Sequence, residues 1–297
     1  MYKSVLNVCA DADGQEIRTH GTFSYPVACY FDDMSNATVI SHWHDELELI
    51  FVTDGAIIVG AAQTEKILKA GDGCFINSNV LHDVRQIDSQ AGVLKSIVFH
   101  PRIIGRRADI FWIKFLQPLI ADERKQFIFF DAQKDLQIIS LIENAWQAQA
   151  EENFGFEIDV RNFLSKIILE LSAGSSGKIY SPSPSEIRDT ERVKLMIKFI
   201  EKHFAEEITL EQIAAVASLS KSEAHRCFKR ATGLPAVQFL IKYRILLAAE
   251  KLHSTRQNIS DIATSCGFLD MSYFSKAFRE IFKETPTGYR KNLEMIL

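Results

Sequence analysis

The last third of the chain contains two short segments that each read as a pair of capped helices, and this duplication restricts the fold more than any other feature. In the first copy, residues 208–233, Thr209 and Gln212 form a capping box that starts a helix. Ser220 and Glu223 form a second capping box only eleven residues later. The first helix is therefore short, and a tight turn follows it. This pattern predicts a helix-turn-helix unit.

A second copy of the pattern lies at residues 259–282. Here Ser260 is the expected helix cap, Gly267 lies at the turn and Asp270 is the next cap. Residues 236–253, between the copies, predict one long connecting helix. The apolar positions of the two copies also correspond, pairing Ile213 with Ile262, Ala214 with Ala263 and Phe228 with Phe278. Together the copies predict an all-α domain with two helix-turn-helix units.

The stretch from Thr209 to Arg290 resembles the AraC/XylS family of bacterial transcription regulators. The resemblance rests on SKSEAHRCFKRATG, RILLAAEKL, ISDIATSCGF, YFSKAFREIF and TPTGYR, which keep the order and spacing of the family. The chain departs from the family at Ser218, where a turn glycine is usual, and at Ala224 and Cys227, where larger aliphatic residues are common. The resemblance implies a sequence-specific transcription activator that binds double-stranded promoter DNA, contacts RNA polymerase and forms a homodimer.

The resemblance also implies which residues contact DNA, because the second helix of a helix-turn-helix lies in the major groove. The implied base-reading residues are Ser222, His225, Arg226, Met271, Ser272 and Lys276. The implied phosphate-contacting residues are Lys221, Lys229, Arg230, Arg279 and Lys283. Arg226 has the chemistry to bind guanine in bidentate fashion. The alternative is a solvated basic surface without DNA contacts, and the duplicated capped pairs argue against it.

The rest of the chain has a different periodicity. Residues 25–99 alternate short apolar runs with turns, which predicts β-strands. Residues 135–172 return to helical spacing and predict two helices, which similar regulators use for dimerisation; ordinary packing within the chain is the alternative. Residues 173–186 are rich in Ser, Gly and Pro and predict a linker. This divides the chain into a β domain (1–134), the helical pair, the linker and a DNA-binding domain (187–297).

Charge and cysteine content agree with a regulator inside the cell. The formal net charge is −4, but residues 191–297 hold 17 Lys+Arg and 12 Asp+Glu, whereas residues 1–190 hold 17 and 26. The basic half is the half expected to approach nucleic acid. The five cysteines are an odd number without paired spacing, which favours free thiols in a reducing compartment. No apolar run is long enough for a membrane span and no signal peptide is recognisable, so we expect a cytoplasmic protein without a membrane partner.

A histidine motif marks the β domain. His42, His44 and Glu48 have equal parity, so on one strand they share a face, and His82 lies on a later strand. The segments HWHDELELIFVTDG and GDGCFINSNVLH resemble the two halves of the cupin signature. The departures from that signature are Asn36, Asn77, Asn79 and Gln86. The resemblance implies an α+β multidomain chain: a cupin-like β-barrel followed by helices, then the all-α domain with two helix-turn-helix units.

Three interpretations of His42, His44, Glu48 and His82 stay open. They form a pocket for a small-molecule effector, for which family resemblance favours a carbohydrate or related metabolite. Alternatively they bind a divalent transition metal, since imidazole and carboxylate ligands suit Fe, Ni, Mn or Zn. Finally, the four groups satisfy one another or water. We expect no enzyme activity and no cofactor other than this metal. The alternatives are a metal-sensing or metalloenzyme cupin fused to a DNA-binding module, and an adaptor without a ligand.

Overall fold

A computed structural model describes residues 20–34, 39–61, 63–87, 92–174 and 176–296. The chain forms two compact units that meet in sequence between Ile187 and Arg188. They are the N-terminal unit, which ends at Ile187, and the C-terminal unit, which continues from Arg188. Cys9 and Asn36, which the sequence analysis considered, lie outside the described residues. The four described cysteines, Cys29, Cys74, Cys227 and Cys266, are buried free thiols.

The described residues of the N-terminal unit form nine strands, and every pairing between them is antiparallel. The strands are β1 (Val27–Asp33), β2 (Val39–His42), β3 (Leu47–Ala61), β4 (Thr64–Lys69), β5 (Gly73–Ile76), β6 (His82–Gln86), β7 (Gly92–Phe99), β8 (Phe127–Phe130) and β9 (Lys178–Tyr180). One group of strands has the order β1-β7-β3-β5-β8-β9. Of the remaining strands, β4 and β6 pair with β3, and β2 pairs with β6. The prediction of an N-terminal β domain is confirmed, and its sheet is antiparallel.

The long strand β3 connects the two groups of strands. Its first half pairs with β5 and β7, and its second half pairs with β4 and β6. The register with β7 shifts between Val52 and Asp54, an irregularity that lets a strand bend from one group into the other. β6 in turn pairs with β2 so that His42 stands opposite His82. The two histidines, forty residues apart in sequence, are therefore cross-strand neighbours.

Among its described residues the N-terminal unit also contains the α-helix α1 (Gln117–Ala121) between β7 and β8, and α2 (Leu136–Glu151) and α3 (Phe156–Ala173) between β8 and β9. The apolar faces of α2 and α3 are buried against the sheet in one hydrophobic core, where Ile142 and Leu164 join Phe75 and Phe130. The helical periodicity of 135–172 is thus largely explained by packing within the chain. Outside that core, α3 exposes Ile158 and Leu169.

The predicted linker contains regular structure. Within 173–186 the strand β9 pairs with β8, placing Phe127 opposite Tyr180, and the helix α4 already begins at Pro184. A strand of three residues is too short to show an alternating pattern, so the Ser, Gly and Pro content dominated the sequence signal.

The C-terminal unit is helical. Its helices are α4 (Pro184–His203, mostly in this unit), α5 (Leu210–Val216), α6 (Lys221–Thr232), α7 (Ala236–Ser254), α8 (Ile259–Ser265), α9 (Met271–Phe282) and α10 (Pro286–Ile296). Within the part of the chain that the structure describes, no helix is long and apolar enough to cross a membrane.

Both predicted capping boxes of the first helix pair are present, at Thr209 with Gln212 and at Ser220 with Glu223. In the second pair Asp270 caps α9, its Oδ1 accepting a hydrogen bond from the backbone of Tyr273 at 2.8 Å. The prediction for the start of α8 is wrong. The N-cap there is Asn258, whose backbone is extended, while Ser260 lies inside the helix. Asn and Ser both favour N-caps, so side-chain preference alone did not separate these positions.

Candidate DNA-reading helices and a candidate sensing site

The second helices of the two pairs, α6 and α9, present matching faces. Buried residues of each helix hold it on the unit's core: Ala224, Cys227 and Phe228 in α6, and Phe274, Ala277 and Phe278 in α9. The residues predicted to read bases are all exposed: Ser222, His225 and Arg226 on α6, and Met271, Ser272 and Lys276 on α9. The fold therefore leaves both faces accessible, as a helix that enters the major groove of DNA requires. Ala224 and Cys227, which depart from the family pattern, are core positions.

The predicted phosphate contacts fall into two groups. Lys229 and Arg279 are exposed in the last turns of α6 and α9, and Lys283 ends α9 in a left-handed conformation. Lys221 forms an ion pair with Glu211 of α5, and Arg230 forms one with Asp189 of α4. These last two cations already have carboxylate partners in the DNA-free protein.

Sequence reasoning missed two exposed apolar side chains beside the α9 face. Leu269, in the turn before the helix, is 90% exposed, and Tyr273 is 48% exposed. Large apolar groups left in water next to a base-reading face are available to contact thymine methyls or sugars. Their positions in the sequence could have indicated this exposure, because Leu269 directly precedes the cap Asp270 and Tyr273 directly follows the predicted base-reading residue Ser272.

In the N-terminal unit the four predicted site residues come together, although by a different route from the one predicted. β2 ends at His42 and β3 begins at Leu47, so His44 lies in the connection and Glu48 on the next strand. Equal parity on one strand is therefore not what aligns them. The β2–β6 register supplies His42 and His82, while the turn and the start of β3 supply His44 and Glu48. All four are at most 7% exposed.

The three histidines form a compact cluster with the carboxylate beside it. Their candidate ligand nitrogens all lie within 4.8 Å of one another. The Oε2 atom of Glu48 lies 3.0 Å from Nε2 of His82 and 3.5 Å from Nε2 of His44. Burial opposes ionisation of Glu48, but hydrogen bonding and the charge of His44 and His82 hold the pKa of this carboxyl well below its usual range.

Backbone carbonyls fix the orientation of each imidazole ring. The contacts are His42 Nδ1 to Ile40 O at 2.9 Å, His44 Nδ1 to Glu46 O at 3.2 Å and His82 Nδ1 to Val80 O at 2.8 Å. A carbonyl oxygen only accepts, so each Nδ1 is the protonated, donating nitrogen. In a neutral ring Nε2 then carries a lone pair. This is the outer-shell arrangement that orients histidine ligands of metal ions.

This arrangement creates a need for positive charge. A lone pair on Nε2 of His82 facing a carboxylate oxygen at 3.0 Å is repulsive unless a cation lies between them. A proton shared between the nitrogen and the oxygen, or a metal ion, would relieve this repulsion. Three imidazoles and one carboxylate are a donor set that Fe, Ni, Mn and Zn accept, so the residues present fit a metal.

His20 and Tyr30 also belong to this neighbourhood and were missed. His20 Nδ1 lies 2.7 Å from the Tyr30 hydroxyl, and the His20 ring lies edge-on to the His44 ring with 5.3 Å between centroids. Both residues are buried. His20 precedes the first strand and belongs to no periodic pattern, so nothing in the sequence pointed to it. Tyr30 lies on β1, whose inward face the sequence did not reveal.

The fold and both candidate sites define a class of protein: a one-chain regulator with a ligand-binding β domain and a DNA-binding helical domain. Comparisons with known proteins agree. The AraC-like ligand binding domain matches residues 24–167, and a helix-turn-helix domain matches residues 213–292. The chain belongs to the AraC/XylS family of transcription regulators.

The chain is similar to several known proteins along most of their length. The HTH-type transcriptional regulator YdeC of Bacillus subtilis (strain 168) is 26% identical over 290 residues, covering 96% of this chain and 98% of YdeC. The HTH-type transcriptional activator RhaS of Klebsiella pneumoniae (strain 342) is 26% identical over 257 residues, covering 86% and 89%. Among solved structures, ToxT from Vibrio cholerae O395 aligns with a TM-score of 0.47 at 13% identity, covering 90% of this chain and 98% of ToxT.

Proposed function

We propose that the N-terminal unit is the sensing half of this regulator and that a small-molecule effector binds at His42, His44, Glu48 and His82. Four buried polar side chains that converge on one point support this proposal, because imidazole and carboxylate groups can hydrogen-bond a polar ligand. A carbohydrate or related metabolite, with several hydroxyl groups, suits such a surface. His20 and Tyr30 lie close enough to extend the pocket.

A second candidate is that the cluster binds a divalent transition metal, either as the sensed signal or as the anchor of the effector. One observation favours it: three Nδ1 atoms donate to backbone carbonyls while Nε2 atoms of His44 and His82 face Glu48. His42, His44 and His82 would hold the ion, with Glu48 as the charged ligand. A bound ion supplies Lewis acidity and a fixed positive charge. The fold family favours a regulator over a metalloenzyme.

The regulator acts in the cytoplasm on promoter DNA. α6 and α9 enter the major groove, and an effector changes DNA binding by favouring one arrangement of the protein over another. We propose that it activates transcription as a homodimer in contact with RNA polymerase. The exposed Ile158 and Leu169 on α3 support a dimer contact there.

Native mass spectrometry of the full-length protein separates these candidates. His42→Ala removes one donor of the cluster, and His253→Ala, an exposed histidine of α7, is the matched control. A metal adduct of about one per chain in the wild type and in His253→Ala, absent in His42→Ala, identifies the metal site.

A protein that stays metal-free after incubation with Zn²⁺, Mn²⁺, Fe²⁺ and Ni²⁺ removes the second candidate. A sugar panel in a thermal-shift assay then tests the first one. A sugar that raises the melting temperature of the wild type but not of His42→Ala supports an organic effector. If no compound raises the melting temperature in this way, the result favours the interpretation of the protein as an adaptor without a ligand.

A further inference from the structure

The C-terminal unit contains a charged cavity of about 260 Å³, which lies between residues 189–192 of α4 and the helix α6. Three arginines line it: Arg192 from α4, and Arg226 and Arg230 from α6. The carboxylates in its wall are Asp189 and Glu223. A surface recess with an excess of guanidinium groups beside a base-reading helix is a natural place for an anion.

The two carboxylates differ in what they do. Glu223 belongs to the cap of α6, where its Oε2 accepts hydrogen bonds from the Ser220 hydroxyl at 2.6 Å and the Ser220 backbone at 3.1 Å. These hydrogen bonds lower the pKa of Glu223. Asp189 instead turns toward the arginines. It forms an ion pair with Arg230, and its Oδ1 lies 3.5 Å from Nη1 of Arg192.

In the DNA-free protein two guanidinium groups therefore contact the oxygens of one carboxylate. A phosphate that is bound by two arginines makes the same kind of contacts. The arginines stay reachable, since the side chains of Arg192 and Arg230 are 45% and 55% exposed. Exposed ion pairs of this kind are weak, so another anion can displace the carboxylate. Arg226 lines the cavity and also the depression formed by Ser222 and His225, so the cavity adjoins the face predicted to read bases.

We propose that this cavity is a phosphate-binding site of the DNA interface and that the Asp189 carboxylate holds the place of a backbone phosphate in the DNA-free protein. The proposal rests on α6 being the DNA-reading helix. On DNA binding, Arg230 and Arg192 exchange Asp189 for a phosphate oxygen. Arg192 is then a DNA contact contributed from outside the helix-turn-helix unit.

Salt dependence of DNA binding measures this site directly, because each phosphate neutralised adds about 0.9 to the slope of log K against log salt. The probe is a fluorescein-labelled duplex of about 30 base pairs and arbitrary sequence, since phosphate contacts do not need the operator. Binding of the full-length protein is followed by fluorescence anisotropy at several KCl concentrations, and circular dichroism verifies that each variant is folded.

Arg192→Gln is expected to flatten the slope by about 0.9 and to weaken binding about tenfold at low salt. The matched control is Lys202→Gln, an exposed cation on the same helix and outside the cavity, which keeps the wild-type slope. Asp189→Asn keeps the side-chain shape and removes the competing charge, so binding tightens about threefold. Its control is Glu191→Gln, which removes a carboxylate that pairs with Lys194 outside the cavity and leaves affinity within about twofold.

Equal slopes for Arg192→Gln and Lys202→Gln overturn the proposal, and so does weaker binding by Asp189→Asn. Lys229→Gln and Arg279→Gln, at predicted phosphate contacts of α6 and α9, separate this failure from a failure of the wider DNA assignment. If they flatten the slope while Arg192→Gln does not, only the cavity is wrong; if none of the three has an effect, α6 and α9 are not the DNA-reading helices. Inorganic phosphate at constant ionic strength is the last arm. If low millimolar phosphate stabilises the wild type and not Arg192→Gln, while the two proteins have equal slopes with DNA, the site takes a free phosphate and not the DNA backbone.

Discussion

The turns of the two helix-turn-helix units have the same backbone shape but respond differently to a side chain. Gly267 has φ +81° and Ser218, at the equivalent position, has φ +54°. In both turns the next residue donates its backbone N–H to the preceding helix, Leu219 to Ala214 at 3.1 Å and Phe268 to Ala263 at 3.0 Å. Left-handed backbone costs an L-residue about 1–2 kcal/mol relative to glycine. The first turn therefore carries a strain that the second one avoids.

Substituting Gly267 by Ala adds a steric cost to this strain. A Cβ atom there would lie 2.7 Å from the carbonyl oxygen of Phe204 and 2.9 Å from Cζ of Arg244. These two groups are tied together, because Arg244 Nε donates to Phe204 O at 2.6 Å. Moving either one weakens a charged hydrogen bond worth about 1.5–3 kcal/mol. Alanine recovers about 0.4–1 kcal/mol by restricting the unfolded chain. We expect Gly267→Ala to lower the free energy of unfolding by about 3 kcal/mol.

Urea unfolding read by two probes localises this effect. The three tryptophans, Trp43, Trp112 and Trp146, all lie in the N-terminal unit, so their fluorescence reports that unit alone. Circular dichroism at 222 nm follows the helices, most of which lie in the C-terminal unit. With a slope of about 2 kcal/mol/M, Gly267→Ala moves the helical transition down by about 1.5 M urea. The tryptophan transition stays in place.

Ser218→Gly is the converse substitution. It removes the left-handed strain and adds unfolded-state entropy, so we expect stabilisation by about 0.5–1 kcal/mol in the same dichroism transition. A loss below about 1 kcal/mol for Gly267→Ala, or destabilisation by Ser218→Gly, would refute the reasoning that backbone shape and the Phe204–Arg244 contact decide which turn needs glycine.

Further predictions concern single residues of the C-terminal unit. Burial and the charge of Asp189 raise the pKa of the Cys227 thiol to about 11, so alkylation by iodoacetamide should be slow at pH 8 and accelerate about tenfold per pH unit up to pH 11; fast labelling at pH 8 contradicts the burial. Ser220→Ala removes the N-cap of α6 and should cost about 1 kcal/mol in urea unfolding, against no measurable change for Ser222→Ala, which is exposed at the second position of the same helix. Arg226→Ala should weaken operator binding by about 1–3 kcal/mol and relax the preference at one base position in a selection experiment, whereas an evenly weakened binding to all sequences would make Arg226 a phosphate contact.

The helical half of the fold could be predicted because its signals are local. A capping box joins residues three apart, and the boxes at Thr209 and Ser220 both formed as the sequence indicated. Where two residues of similar preference stand close together, as Asn258 and Ser260 do, local preference did not decide the cap. The partner of Arg230 was also out of reach, because Asp189 lies on a helix that precedes the whole helix-turn-helix unit.

The β half was predictable in composition and less so in geometry. The histidines were found by their spacing, yet the strand expected to carry His42, His44 and Glu48 is interrupted after His42. Strand register is set by pairing over long sequence distances, which no local pattern encodes. The short β9 illustrates the same limit, since its place in the sheet depends on β8 and not on its own three residues.

The orientation of the imidazole rings bears on the three interpretations of the histidine cluster. If the polar groups merely satisfied one another, the imidazoles would donate their N–H groups to Glu48 in their neutral form. Instead, Nδ1 of all three rings faces a backbone carbonyl, which directs the Nε2 lone pairs of His44 and His82 toward the carboxylate. A neutral cluster would set these lone pairs against the carboxylate, and a proton or a metal ion between them would remove that repulsion. This supports a site that takes up a cation, a metal ion or a proton, as part of sensing, and it makes the metal content of the purified protein the most informative property of the N-terminal unit.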